Sequence, residues 1–530
     1  MNRLKKFIIN GLLITAVSIF MRAVSVSFNI YISNKIGAVA MGVFTLISTV
    51  YGFSITVATS GINLAATRHI AEAIGNCENK EFPEKTPTVR CIVKKCVVYS
   101  LCFSVGAGIV LFLFAPLIGE RLLADSRTVR PLQILAFTLP PIALSSVLSG
   151  YFTAIRRVYK NAAVQVIGQG VRIFSCIILF SFFGADDVES ACVCIVSGGA
   201  VAEILAFAIQ YLLYIFEKSY QKTKKTSSEE GQSIWKKVLN TALPVAFSAY
   251  VRSGLITLEH MLIPWGLQQS GNSRDKSLAA YGTVHSMVFP LVLFPSALSG
   301  SFAGLLVPEI AESAASGDNA RIERIINKVF HAVLVFSIGT AGIIMCFSYE
   351  LANTVYPNAN AGKFILMIAP LIPIMYLDTS VDGILKGLGE QVYCMGVNIA
   401  DALLSVILVV ILLPRMGIIG YILTVYFTET VNATLSIARL LTVTSVKPKV
   451  IDWIVKPLLS IIVSCSAVRF IASRLTGAIM TGTALASYIV LTVGIYLILL
   501  IIVGALKTPR HTKKIKQKNQ AATDKCRSLL

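Results

Sequence analysis

Long apolar segments recur along almost the whole chain, and each is about 20–28 residues in length. A helix of that length crosses the roughly 30 Å hydrocarbon core of a bilayer. The sequence therefore predicts an all-α polytopic membrane protein with about 14 transmembrane helices. We expect the spans at residues 8–31, 39–66, 96–118, 131–153, 162–184, 190–215, 239–264, 279–307, 329–350, 362–387, 391–413, 417–440, 452–473 and 480–506.

The charged residues lie between the apolar segments. The chain is 55% hydrophobic and 14% charged, with a formal net charge of +20, whereas a soluble protein carries about 25% charged residues. Cytoplasmic loops of membrane proteins are enriched in Lys and Arg. This rule places both termini in the cytoplasm, and it explains the positive charge without a nucleic-acid partner.

The sequence also indicates an internal duplication. The second span closes with Ser60-Gly and Ile70-Ala-Glu, and the eighth closes with Ser299-Gly and Ile310-Ala-Glu at nearly the same spacing. Paired six-helix repeats build transporters that alternate access to a site near the bilayer midplane. We predict a six-helix lobe at 1–216, a cytoplasmic linker at 217–237, a second lobe at 238–441, two additional helices at 442–506 and a basic cytoplasmic tail at 507–530.

Three arginines lie inside predicted spans, where a charge costs roughly 2.5–3.5 kcal/mol. They are Arg22 in the first span, Arg172 in the fifth and Arg252 in the seventh. A guanidinium grips phosphate oxygens with a planar fork, so a cavity containing these residues would suit an anionic substrate such as a lipid phosphate. The alternative is a structural role, in which the arginines pair with nearby carboxylates.

A second group of polar residues supplies oxygen ligands in the second half of the chain. Glu259 lies in the seventh span, Asn398 and Asp401 lie three residues apart in the eleventh, and Thr428 lies in the twelfth. Carboxylate, amide and hydroxyl oxygens suit Na⁺ or a proton relay that couples transport to an ion gradient. The alternative is that these side chains only form hydrogen bonds between helices.

The sequence contains no pattern that predicts an enzyme or a metal site. A phosphate-binding loop of the ATPase type is missing, the cysteines form no C-x-x-C pair, and His260, His285 and His331 lack metal-ligand spacing. We expect no cofactor apart from a coupling ion, Na⁺ or H⁺. The oligomeric state stays open, and a monomer is compatible with the sequence.

Several short motifs occur in and near the predicted spans. They are Leu262-Ile-Pro-Trp-Gly-Leu-Gln, the run from Met287 to Leu298 with two prolines, Leu305-Leu-Val-Pro-Glu-Ile-Ala-Glu and Gly150-Tyr-Phe-Thr-Ala. These motifs resemble those of the stage V sporulation protein B family of polysaccharide-type exporters. The superfamily that contains this family also includes lipid II flippases and multidrug and toxic compound extrusion transporters. The resemblance implies two six-helix lobes and transport of polyprenyl-diphosphate-linked saccharides across the bacterial plasma membrane.

The resemblance also bears on individual residues. Arg22 lies where lipid II flippases have a cavity arginine, Glu259 matches an acidic position of ion-coupled relatives, and Asn398 and Asp401 are similar to ion ligands of those relatives. We therefore predict a flippase for lipid-linked oligosaccharides or peptidoglycan precursors, working by alternating access in the bilayer. Two alternatives remain, a multidrug and cation antiporter and a non-transporting scaffold for wall synthesis.

Overall fold

The chain is helical throughout the described part of this computed structural model, which covers residues 2–75, 87–184, 187–218, 228–356, 361–444, 446, 449–475 and 482–505. These residues contain no β-strand, and the predicted all-α membrane fold is confirmed. The predicted tail at 507–530 lies outside the described residues, as do residues 219–227 of the predicted linker.

The α-helices follow one another with short connections. In chain order they are α1 (Asn2–Thr59), α2 (Ile62–Gly75), α3 (Pro87–Leu117), α4 (Val129–Ala136), α5 (Leu139–Ala154), α6 (Val158–Phe183), α7 (Val188–Lys218), α8 (Ser228–Gln269), α9 (Arg274–Tyr281), α10 (Phe289–Leu293), α11 (Ser296–Ala315), α12 (Asn319–Cys346), α13 (Ser348–Val355), α14 (Gly362–Ile368), α15 (Ile372–Gly387), α16 (Gln391–Met416), α17 (Ile418–Val443), α18 (Lys456–Leu475) and α19 (Gly482–Ile502). Short π-helical segments occur at Ile118–Leu122, Gly282–Val288 and Ile451–Val455, and 3₁₀ turns occur at Ser126–Thr128 and Ala369–Leu371.

Ten helices in the described residues are long and apolar enough to cross a membrane, or up to eleven if the bent pair α4–α5 counts as one span. The predicted count of fourteen is thus not confirmed. One physical reason is that α1 continues through both of the first two predicted spans, with a break at Gly37. Gly37 has φ of +77°, a conformation that favours glycine because it lacks a Cβ. Another reason is that the predicted eighth span consists of the short pieces α9, α10 and α11.

The chain divides into two compact units. The first unit contains Met1–Phe294 and Met395–Thr428, and the second contains Pro295–Cys394 and Glu429–Leu530. The division into repeated lobes at 1–216 and 238–441 stays a prediction.

Each unit has a buried apolar cluster. In the first unit, α2, α3, α5 and the beginning of α8 meet, with Ile62, Phe152 and Val238 fully buried. In the second unit, Phe347 packs with Val468 of α18 and Leu485 of α19. Burying each such side chain contributes roughly 1.5–3 kcal/mol where it is removed from water, and within a bilayer close van der Waals packing holds the helices together instead.

Candidate functional site

Two of the three predicted arginines form no ion pair with a carboxylate of the described residues. Arg22 lies on α1 and Arg252 on α8, and both side chains are exposed on the protein surface. Within the described part of the chain, neither guanidinium forms a hydrogen bond or an ion pair. Because α1 and α8 both contain candidate membrane spans, these are two cations without a hydrogen-bonded or ion-paired partner among the described residues, at positions where charge is costly.

Arg172 is placed differently. Its Nη2 lies 2.8 Å from Oε1 of Glu203 on α7, and both side chains remain about one third exposed or more, at 41% and 33%. This pair lines a cavity of about 510 Å³ together with Met21, the neighbour of Arg22 on α1. Arg172 therefore pairs with a carboxylate, which is the structural role considered above as the alternative to substrate binding. Its predicted role in binding a substrate stays a prediction.

Glu259 and Asp401 lie close together between α8 and α16. Ser405 donates a hydrogen bond of 2.6 Å to Oε1 of Glu259. Asp401, one helical turn before Ser405, lies within electrostatic range of both Glu259 and Arg252. The buried Oδ1 of Asp401 has no hydrogen-bond partner among the described residues. Ser405 was missed by sequence reasoning, because a serine on an apolar helix usually bonds to its own backbone.

The other two predicted ion ligands lie on α16 and on the following helix, α17. Asn398 is half-buried on α16, three residues before Asp401, and therefore shares its helical face. Thr428 is buried on α17, and its hydroxyl donates to the backbone oxygen of Val425 at 3.3 Å. Among the described residues, no three His, Cys, Asp or Glu side chains gather into a group that could hold a metal ion.

The structure brings together two histidines that the sequence left apart. Nδ1 of His260 lies 2.7 Å from the hydroxyl of Tyr281, and the rings of His260 and His285 are 4.3 Å apart. His285 lies in the π-helical segment that follows α9. The spacing of Tyr281 and His285, four residues apart, indicated a shared helical face, but the sequence did not indicate that His260 lies beside them.

Ionic contacts join the loop after α3 to the beginning of α9. Arg127 makes a bidentate contact with the buried Asp125, at 2.9 and 2.7 Å. Arg274 lies 3.4 Å from the same carboxylate and donates to the backbone oxygen of Leu123 at 2.7 Å. Burial alone would raise the pKa of Asp125, but the hydrogen bonds and charge of Arg127, with the charge of Arg274, lower it below its usual value.

Close backbone packing accompanies this ionic cluster. A Cβ on Gly42 of α1 would lie 2.2 Å from the backbone oxygen of Leu278, and a Cβ on Gly282 would lie 2.3 Å from that of Ala38. The hydroxyls of Thr45 and Ser286 form a hydrogen bond in the same contact. Only glycine allows two backbones to approach so closely. The second half of α1 is therefore tightly fitted against the segment 274–288.

Two family models match most of the chain between them. Residues 7–267 match the model described as polysaccharide biosynthesis protein, and residues 270–411 match the model described as MatE. The resemblance inferred from the sequence motifs is confirmed by these matches and by two curated relatives.

Both relatives come from Bacillus subtilis (strain 168). Stage V sporulation protein B is 24% identical over 514 residues, which cover 94% of this chain and 96% of that protein. The lipid II flippase MurJ is 22% identical over 432 residues, which cover 76% of each chain. A solved structure of lipid II flippase MurJ in an inward closed conformation has a TM-score of 0.69 at 13% identity, covering 93% of this chain and 98% of that one. At that identity the likeness shows the fold.

Proposed function

We propose that this chain, a relative of the polysaccharide biosynthesis and MatE families, flips a lipid-linked saccharide across the bacterial plasma membrane. The substrate is a polyprenyl-diphosphate oligosaccharide or a peptidoglycan precursor. The observation that carries this proposal is that two cations within candidate membrane spans, Arg22 and Arg252, have no ion-pair partner among the described residues. The names of the curated relatives, a sporulation protein and a lipid II flippase, agree with such a substrate.

A bound diphosphate lowers the free-energy cost of placing these arginines within the bilayer. An isolated guanidinium within a bilayer costs roughly 2.5–3.5 kcal/mol even on the lenient insertion scale, and an anionic ligand offsets that cost. Arg172 is the third proposed substrate contact, at the cavity that it lines. It shares its charge with Glu203, so we expect a smaller loss of binding when Arg172 is replaced than when Arg22 or Arg252 is replaced.

Transport proceeds by alternating access in this account. With the N-terminus in the cytoplasm, residues 37–45 and the segment 274–288 both lie toward the outer face. The glycine contact and the Asp125 cluster then close the outer end, and they must open for the substrate to leave. Glycine-mediated packing suits such a contact, since it depends on fit rather than on a covalent link.

An ion gradient supplies the energy in the proposed mechanism. Glu259, Asp401, Asn398 and Thr428 provide oxygen ligands for Na⁺ or carry a proton, with Ser405 positioning Glu259. Binding of a cation near Arg252 would reduce the field that Asp401 exerts on this arginine. Arg252 would thereby link the ion site to the diphosphate site.

The protein acts as a transporter rather than an enzyme in this proposal. Its partners are the lipid-linked substrate and the bilayer, and both termini face the cytoplasm. A multidrug or cation antiporter is the second candidate, because residues 270–411 match the MatE model. Two unpaired arginines disfavour a cationic drug by like-charge repulsion. Increased resistance to ethidium-like dyes on expression would support this second candidate.

Native mass spectrometry of the detergent-purified protein tests the proposed substrate class. We expect a co-purifying polyprenyl-diphosphate saccharide on the wild-type chain, and its loss from the Arg22→Ala/Arg252→Ala variant. Lys363→Ala, which removes a cation from the beginning of α14, is the matched control. Wild-type protein that carries only bulk phospholipid, in the same amount as the variant, would contradict the proposal.

A further inference from the structure

The cavity beside Arg172 has a wall of neutral polar groups. It lies inside the first compact unit, between α1, α2, α5, α6 and α7, and has a volume of about 510 Å³. Its lining includes five amide side chains and three serine hydroxyls, contributed by four different helices. This is a large concentration of hydrogen-bonding groups for a bundle in which unsatisfied polar groups are costly.

Part of this wall is fixed in place by its own hydrogen bonds. The amides of Gln210 and Asn161 lie 3.1 Å apart, and Gln210 also contacts the hydroxyl of Ser145. Asn161 Nδ2 donates to the backbone oxygen of Ser149 at 3.0 Å, and Asn63 Nδ2 donates to that of Ser146 at 3.0 Å. These contacts tie α2, α5, α6 and α7 together, so the polar surface is preorganised.

Two other amides of the wall are left available. Gln165 and Gln169 are one turn apart on α6, and both line the cavity. Neither side chain has a hydrogen-bond partner within the part of the chain that the structure describes. Each amide offers two donors and an acceptor, which matches the mixed donor and acceptor character of a hydroxyl group.

The charge of the cavity favours a neutral ligand. Its two charged lining residues, Arg172 and Glu203, neutralise each other at 2.8 Å. The volume is within the range of roughly 300–1,000 Å³ that is usual for small-molecule sites. A phosphate would lack an uncompensated cation here, and an acyl chain would leave the amides unsatisfied. A polyhydroxylated, uncharged group satisfies both conditions.

We propose that this cavity binds the uncharged sugar units of the lipid-linked substrate, through Gln165 and Gln169 on one side and the Asn161–Gln210 network on the other. The inference rests on the proposed function and adds a second recognition element to it. Arg22 and Arg252 hold the diphosphate, which all such lipids share, and the cavity selects the saccharide.

A binding comparison separates the two elements. The full-length protein in nanodiscs is titrated with undecaprenyl diphosphate and with the same lipid carrying an N-acetylated disaccharide. Gln165→Leu/Gln169→Leu lowers the affinity for the disaccharide lipid about tenfold, because two hydrogen bonds are lost, and leaves the affinity for the bare lipid unchanged. The control Gln391→Leu, an exposed residue outside the cavity, changes neither. Arg22→Ala/Arg252→Ala lowers both affinities.

The outcomes distinguish the two proposals. If Gln165→Leu/Gln169→Leu binds both lipids as the wild type does, the saccharide cavity is overturned while the flippase proposal stands. If the wild type binds neither lipid better than bulk phospholipid, the flippase proposal fails, and the cavity is then judged by the second measurement.

The second measurement uses a protein with its glutamines intact. A cysteine at Ser149→Cys, inside the cavity, is alkylated with a small maleimide, and the modified peptide is quantified by mass spectrometry. A soluble N-acetylated disaccharide at millimolar concentration slows this alkylation at least about threefold, whereas inorganic diphosphate does not. Alkylation that proceeds equally fast with and without the disaccharide overturns the proposal, whatever the lipids do.

Discussion

Glu259 lies well inside α8 and accepts a hydrogen bond from Ser405 of the neighbouring helix α16. Asp401 lies one turn from Ser405, with a buried oxygen that finds no hydrogen-bond partner in the described residues. An oxygen without a partner in a buried position costs free energy unless something else contacts it. These three residues are therefore the part of the chain where ion coupling is most sharply testable.

Ser405→Ala removes the hydrogen bond that orients Glu259 and retains the carboxylate. We expect transport driven by an ion gradient to fall several-fold, because a typical hydrogen bond contributes about 0.5–1.5 kcal/mol. Glu259→Gln should abolish the dependence on the gradient. The control is Ser337→Ala, a buried serine that bonds within its own helix. Unchanged gradient-driven transport in both Ser405→Ala and Glu259→Gln would exclude this coupling site.

The Asp125 cluster predicts a measurable coupling between two charges. In a double-mutant cycle of Asp125→Asn and Arg274→Gln, measured on the free energy of unfolding, we expect a coupling free energy of about 1–3 kcal/mol, since Asp125 is buried. The cycle of the exposed pair Arg321 and Glu312, 3.7 Å apart, should give less than about 0.5 kcal/mol.

The lowered pKa of Asp125 sets the pH range in which its cluster contributes. The stabilisation is fully present above the ordinary pKa of an aspartate and is lost as the pH falls through the lower pKa of the folded protein. The coupling should therefore be constant between pH 6 and 8. A coupling that disappears within that range would contradict the assignment.

At the scale of elements, α1 and the segment 274–288 approach each other through glycine. Gly42→Ala places a methyl group 2.2 Å from the backbone oxygen of Leu278, so one backbone must move. We expect a loss of about 1–3 kcal/mol of stability, measured as a lower Tm in detergent. Gly52→Ala is the matched control on the same helix, because no atom lies within 4 Å of its added Cβ. Equal Tm values for the two variants would show that the close contact is absent.

The helices themselves follow from the sequence, whereas several contacts between them do not. Apolar runs longer than a bilayer is thick dictate helices, so the all-α membrane fold was predictable. The number of spans was not, because Gly37 bends α1 without ending it and the eighth span is broken around a π-helical segment. His285 lies in that π-helical segment, and its contact with His260 was not predictable from the sequence either.

Some of the site residues were also predictable from the sequence, whereas their contacts depend on the fold. Charges within apolar spans were visible in the sequence, because each one is an exception to the pattern. The pairing of Arg172 with Glu203 and the contact of Ser405 with Glu259 depend on which helices are neighbours. Gln165, Gln169 and Asn161 gave no signal of a shared binding site, since amides occur in many helices, and only the folded chain places them around one cavity.

At the scale of the whole molecule, the proposed mechanism has the contact of α1 with the segment 274–288 open in every transport cycle. The hydroxyls of Thr45 and Ser286 touch in this contact, so Thr45→Cys/Ser286→Cys should form a disulfide on mild oxidation. We expect oxidation to stop transport and a reductant to restore it. The two single variants serve as controls and should stay active. Full transport by the oxidised, cross-linked protein would rule out opening at this contact.

In the proposed function, the chain moves a lipid diphosphate bearing a saccharide from one leaflet to the other. The most direct measurement uses proteoliposomes containing a fluorescent polyprenyl-diphosphate disaccharide, with a membrane-impermeant quencher reporting the leaflet that it occupies. We expect the probe to move between leaflets faster in liposomes with the wild-type protein than in protein-free liposomes. With Arg22→Ala/Arg252→Ala we expect the protein-free rate. Movement at the protein-free rate by the wild type, or undiminished movement by the arginine variant, would contradict the proposed function.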